Sequence, residues 1–81
     1  MLSKLKESEK VVGAKQLMRA LQADSIACLY VANDADIFVN RDVIALCREK
    51  NIPVVEVPSK KTLGEACGIQ VGCAAAGILK R

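Results

Sequence analysis

Apolar and polar positions change period along the chain, and those changes mark its elements. Ala14, Leu17, Met18 and Leu21 recur at i, i+3, i+4 and i+7, while Lys15, Gln16, Arg19 and Gln22 occupy the other face. That spacing predicts an amphipathic helix over Ala14–Ala23, opened by Gly13 after a short extended segment at Lys10–Val12. Ile26–Ala32 is an unbroken apolar run with β-branched members, the pattern of a strand covered on both faces. The polar turn Asn33-Asp34-Ala35-Asp36 follows it. Asn40 or Asp42 opens the next helix, which runs to Lys50 with Val43, Leu46 and Cys47 inward and basic residues in its last turn. Asn51 suits the position just past its end, and Pro53–Val57 reads as a strand. Ser59 caps a helix that ends near Cys67, with Gly68 as the left-handed residue beyond. Gly72–Leu79 is small and apolar throughout, as a central buried strand would be, and Leu2–Ser8 reads as a short helical opening. Four helices alternate with four strands, which predicts helices on both faces of a mixed sheet.

Composition narrows the function more than the fold. At 81 residues the chain has room for one core, so residues 1–81 are expected to form a single domain. Aromatic residues are 2%, Tyr30 and Phe38 alone, which excludes an aromatic stacking platform for single-stranded nucleic acid. The chain has 0 histidines. Imidazole acid–base catalysis and every histidine-containing zinc site are thereby removed, and the expectation is a protein that is not an enzyme. Cys28, Cys47, Cys67 and Cys73 lie 19, 20 and 6 positions apart, so neither a C-x-x-C redox motif nor a zinc ribbon is supported. No metal site or cofactor is expected. Each cysteine sits in an apolar run and reads as a small hydrophobe. Met1–Lys10 lacks the apolar core of a signal peptide, and Val71–Leu79 is too short to span a bilayer. Free thiols without either signal point to the reducing cytoplasm.

The net charge of +3 is unevenly laid out. Residues 1–22 set Lys4, Lys6, Lys10, Lys15 and Arg19 against Glu7 and Glu9. The middle, 23–58, is acidic, and 59–81 is basic again through Lys60, Lys61, Lys80 and Arg81 against Glu65. Two basic ends could meet in the fold as one basic face, although ordinary solvated charge has the same arithmetic.

Three stretches carry candidate chemistry. Gly13 at a helix start allows close approach of a ligand to the backbone, where free N–H groups and the macrodipole favour an anion. Lys15, Gln16 and Arg19 lie within the next turn and a half and suit guanine N7 and O6, a base edge or phosphate. A solvated helix face after a glycine turn fits the same residues. Ser59-Lys60-Lys61 places two lysines at a helix start, against the macrodipole, an arrangement eased by nearby phosphate or by solvation. Cys67-Gly68-Ile69-Gln70-Val71-Gly72 puts two apolar residues in a loop, where they meet a partner or fold back onto the core.

Gly13-Ala14 followed by Arg19, Ala32-Asn33-Asp34-Ala35-Asp36, and above all Ser59-Lys60-Lys61-Thr62-Leu63-Gly64-Glu65-Ala66-Cys67-Gly68-Ile69-Gln70-Val71 resemble the ribosomal protein L7Ae/L30e family. The resemblance covers essentially the whole chain and is strongest to the short bacterial kink-turn RNA-binding branch. It implies an L30e-like three-layer α/β/α sandwich with a four-stranded mixed sheet. It also implies a protein that stabilises a sharply bent RNA in which tandem sheared G·A pairs follow a bulge. In such proteins the helix after the glycine enters the widened major groove, so Gly13, Ala14, Lys15, Gln16 and Arg19 become the guanine and backbone contacts. Lys60 would meet RNA near the bulge, Asp36 would receive a flipped-out base, and Ile69, Gln70 and Val71 would pack on bulge nucleotides. Archaeal and eukaryotic relatives have Asn-Glu in place of Lys15-Gln16, Lys in place of Arg19, and sometimes basic residues in place of Val11-Val12. Lysine accepts no hydrogen bond, so the contacts of this chain differ from theirs. The expected partner is structured RNA containing a kink-turn, with the ribosome a further setting; no membrane is implied, and a monomer is expected. The alternative is a ribosome-associated structural or protein-interaction module without kink-turn specificity, in which the loop meets protein.

Overall fold

The computed structural model describes residues 9–35, 37–69 and 71–80. In chain order the elements are β1 (Lys10–Val12), α1 (Ala14–Gln22), β2 (Ile26–Ala32), α2 (Ile37–Glu49), β3 (Val54–Val57), α3 (Lys60–Cys67) and β4 (Ala75–Leu79). The helix expected at Leu2–Ser8 lies outside the described residues. The strands form one mixed sheet in the order β1-β4-β2-β3. β4 is antiparallel to both β1 and β2, and β3 is parallel to β2. Strands β1, β2 and β3 therefore run the same way. The starts of α1, α2 and α3, and the loop leading into β4, all gather at one end of the sheet.

Side-chain alternation along the strands divides the core between two faces. Leu29 and Val31 of β2 pack with Leu17 and Leu21 of α1 and with Val43 and Cys47 of α2. Tyr30 and Ala32 face the other way, onto Leu63 and Cys67 of α3, with Cys73 and Ala76. This is the three-layer α/β/α sandwich expected from the alternation of elements. Small residues let the layers close up. A side-chain carbon at Gly77 would lie 2.8 Å from Leu17 Cδ2 and 2.9 Å from Ile26 Cδ1, so a larger residue at this point of β4 requires those two side chains to shift.

The three helices of the described residues end in the same way. Asp24, Asn51 and Gly68 have left-handed φ of 56°, 60° and 79°. Behind each, paired backbone bonds close the last turn: Ser25 N–H to Ala20 O with Asp24 N–H to Leu21 O, Ile52 N–H to Cys47 O with Asn51 N–H to Arg48 O, and Ile69 N–H to Gly64 O with Gly68 N–H to Glu65 O. These are Schellman motifs, in which the residue after the left-handed one is commonly apolar and folds back onto the helix.

Two boundaries differ from the sequence expectation. Helix α2 starts at Ile37, not at Asn40 or Asp42. Asn40 is 5% exposed, and its Nδ2 donates to Ala74 O at 3.2 Å, so it faces inward and fastens the segment before β4. Strand β4 starts at Ala75 and not at Gly72, because Cys73 N–H donates to Lys60 O at 3.0 Å and ties that stretch to α3 instead of the sheet.

Candidate nucleic-acid interface

The first feature at the common end of the sheet is the start of α1. Gly13 precedes it with φ 103° and ψ 138°, a conformation that L side chains rarely adopt, and space around its Cα is open to 4 Å. No side chain caps this start among the described residues, and its first turn holds no acid. Free of acceptors from described side chains, the amides here and the macrodipole make the position attractive to an anion. Lys15, Gln16 and Arg19 are all exposed. Positions 15 and 19 are one i+4 step apart and 16 and 19 one i+3 step, so the three share a face. That face offers two cations and one carboxamide beside backbone donors that no described side chain claims.

The start of α3 is built differently. Ser59 accepts from Thr62 N–H at 3.1 Å through its Oγ, as its sequence position predicted. A second acceptor comes from far along the chain: Asp34, in the turn after β2, takes the Lys60 N–H at 2.7 Å on its Oδ1. Lys60 and Lys61 are exposed. The parallel pairing of β2 with β3 brings the two turns together, since Ala32 lies opposite Val57 and Asn33 N–H donates to Val57 O at 2.8 Å.

The loop before β4 rests directly on α3. Its backbone crosses Gly64, where any side-chain carbon would overlap the Val71 carbonyl oxygen, and Gly72 sits against Lys60. With the Cys73–Lys60 hydrogen bond, these contacts fasten Val71, Gly72 and Cys73 to α3. The two apolar loop residues part company. Val71 is 71% exposed, whereas Ile69 is half-buried against the core under α3. The sequence left open whether both meet a partner or fold back; Ile69 does the second because it follows Gly68 in the Schellman turn.

Beneath the loop lie the thiols of Cys67 and Cys73, both buried. Burial, followed by the neighbouring Cys73, pushes the Cys67 thiol up to about 11, and burial raises Cys73 as well. Both thiols are protonated near neutrality and are poor nucleophiles. Their role on this face is to fill space under the loop.

Of the positions singled out in the sequence, Gly13, Lys15, Gln16, Arg19, Lys60 and Val71 are brought to this one end. Ala14 begins α1 there too, Ile69 is turned inward, and Asp36 and Gln70 lie outside the described residues. Sequence reasoning missed Asp34 and Asn40, which hold the α3 start and the β4 approach. It also missed Gly64 as the seat of the loop.

An α/β/α sandwich with a basic, partly apolar face at one end of its sheet defines the class. The whole chain, residues 1–81, matches the model of the Ribosomal protein L7Ae/L30e/S12e/Gadd45 family, and the protein belongs to that family. It is 46% identical over 76 residues to RNA-binding protein GK0100 of Geobacillus kaustophilus, covering 94% of this chain and 93% of that one. Identity to RNA-binding protein YbxF of Geobacillus stearothermophilus is 45% over the same length and coverage. Among solved structures, the Giardia lamblia 15.5kD RNA binding protein superposes with a TM-score of 0.89 at 27% identity, over 99% of this chain and 71% of its own.

Proposed function

We propose that this protein is a non-enzymatic RNA-binding module that recognises and stabilises kink-turn RNA. The observation that carries the proposal is the uncapped start of α1 with Lys15, Gln16 and Arg19 exposed on one face, at the same end of the sheet as Lys60, Lys61 and exposed Val71. Guanine edges and phosphates are natural acceptors for the first group, and a splayed base is a natural partner for Val71. The major groove of regular A-form RNA is too narrow for a helix, so α1 needs the groove that a kink opens. The names of the relatives, RNA-binding proteins in each case, support the same class of partner. The protein is taken to act as a monomer in the reducing cytoplasm, free or associated with the ribosome.

The test is the affinity ratio between a kink-turn RNA and a straight duplex of equal length, with end-to-end fluorescence transfer reporting the bend. A clear preference for the kinked RNA and a rise in transfer on binding are expected. Equal affinity, with steep salt dependence for both, would leave only general attraction of phosphate. In that case the exposed Val71 favours the second reading, a ribosome-associated module that meets protein.

A further inference from the structure

We infer that Asp34 is a specificity-determining residue of this face: it fills the start of α3 with the protein's own carboxylate and so suppresses indiscriminate phosphate attraction. The inference rests on the RNA-binding proposal above. It starts from the contrast between the two helix starts at this end of the sheet. The α1 start has a glycine cap and no side-chain acceptor among the described residues. The α3 start has two exposed lysines and no acid of its own in the first turn. Left alone, it would be the stronger trap for any phosphate, since the macrodipole and both ammonium groups act in the same direction.

It is not left alone. The Asp34 carboxylate accepts the Lys60 N–H at 2.7 Å, Ser59 Oγ takes that of Thr62 at 3.1 Å, and Ser59 O takes that of Leu63 at 3.1 Å. An exposed carboxylate thus stands where a phosphate oxygen would otherwise bind, within the neighbourhood of Lys60 and Lys61. Its negative charge lowers the pull of this corner on any polyanion, whatever its shape. Discrimination falls to the contacts that depend on shape, at the α1 start and at Val71. Weakening the wrong complex more than the right one is a recognised route to specificity.

Asp34→Asn tests this, because a carboxamide oxygen still accepts the Lys60 N–H while the charge is gone. Affinities of the intact protein for a straight RNA duplex and for a kink-turn RNA are measured across a salt series, with thermal melting as a check on folding. The straight duplex is expected to bind roughly two- to five-fold more tightly at low salt, with a salt slope steeper by about one. The ratio of kinked to straight affinity is expected to fall, and Asp34→Glu, which keeps the carboxylate, to stay close to wild type. An unchanged or weakened straight-duplex affinity in Asp34→Asn would overturn the inference, since a merely structural cap would weaken both RNAs together. Should Asp34→Asn not fold, Asp34→Ser gives the same comparison with a smaller neutral acceptor. A wild-type ratio of one would instead defeat the kink-turn proposal, while the straight-duplex comparison would still decide the role of Asp34.

Discussion

Gly64 offers a sharp test of how the loop is seated, because helix propensity and packing predict opposite outcomes. Gly64 lies inside α3, away from either cap. By propensity alone, Gly64→Ala should stabilise the helix by about 1 kcal/mol. In the folded protein, however, the new methyl would overlap the Val71 carbonyl oxygen and lie 3.2 Å from the Val71 carbonyl carbon and 3.4 Å from Gly72 Cα. All three atoms are backbone, so no rotamer change relieves the contact. The loop must retreat by roughly an ångström to restore ordinary van der Waals spacing. Overpacking of this kind costs about 1–3 kcal/mol. Movement of a backbone segment places it toward the upper end, and the propensity gain offsets part, leaving a net loss of about 1–2 kcal/mol.

For a domain of this size each kcal/mol lowers Tm by about 4–8 °C, well within reach of a thermal melt followed by circular dichroism. The same displacement moves Val71 and strains the Cys73–Lys60 hydrogen bond. The preference for kinked over straight RNA should therefore fall together with Tm. Gly72→Ala is the milder comparison: its methyl would lie 3.1 Å from the Lys60 Cβ, a tight contact that stops short of overlap. A Gly64→Ala variant that melts higher than wild type and keeps the full RNA preference would refute the seating of the loop on α3.

Lys15→Ala and Arg19→Ala should each weaken kink-turn binding by about 1–3 kcal/mol without lowering Tm, as titration at fixed salt would register; no change in either would remove α1 from the interface. Val71→Asp should lower the preference for the kink, leaving the share that α1 supplies, while shifting stability by no more than about 0.5 kcal/mol. Ile69→Asp should instead destabilise the fold itself, because Ile69 packs on the core; comparable melting of the two variants would contradict their different burial. Stability should fall as pH rises past the ordinary thiol range, since burial pushes the Cys67 thiol up to about 11 in the folded protein. The raised value means that the unfolded chain gives up this proton first, so the contribution is present below pH 9 and lost as pH passes through 11. Denaturant melts between pH 8 and 11 would measure the slope, and Cys67→Ala should make it shallower, leaving the part that the raised thiols of Cys47 and Cys73 contribute.

The periodic parts of the chain announced themselves. The i, i+3, i+4, i+7 spacing of Ala14, Leu17, Met18 and Leu21 places Leu17 and Leu21 in the core, and both are fully buried. The apolar run Ile26–Ala32 became a central strand for the reason its pattern suggests: both of its faces are covered. Local capping chemistry was equally readable at Ser59, Asn51 and Gly68, because a cap is decided within a few residues. Ile69 carries a further local signal. A glycine just past a helix end, followed by an apolar residue, is the signature of a Schellman turn whose apolar residue folds back, and that local pattern distinguishes Ile69 from Val71.

Asn40 and Asp34 were hidden for a different reason: their partners are distant in sequence. Asn40 looked like a helix opener because asparagine so often is one, but a carboxamide buried against a backbone carbonyl serves equally well to anchor a neighbouring segment. Its partner, Ala74, is 34 residues away. Asp34 stands 26 residues from the amide that it caps. Nothing in the local composition of Asn33-Asp34-Ala35 names that partner. What selects it is the register of β2 against β3, which sets Ala32 opposite Val57 and so brings the turns that follow each strand side by side. The two lysines at the start of α3 seemed in sequence to oppose the helix dipole without compensation. In the fold the compensation is present, supplied by the preceding parallel strand's turn, and the charge pattern of that helix makes physical sense only once both strands are paired.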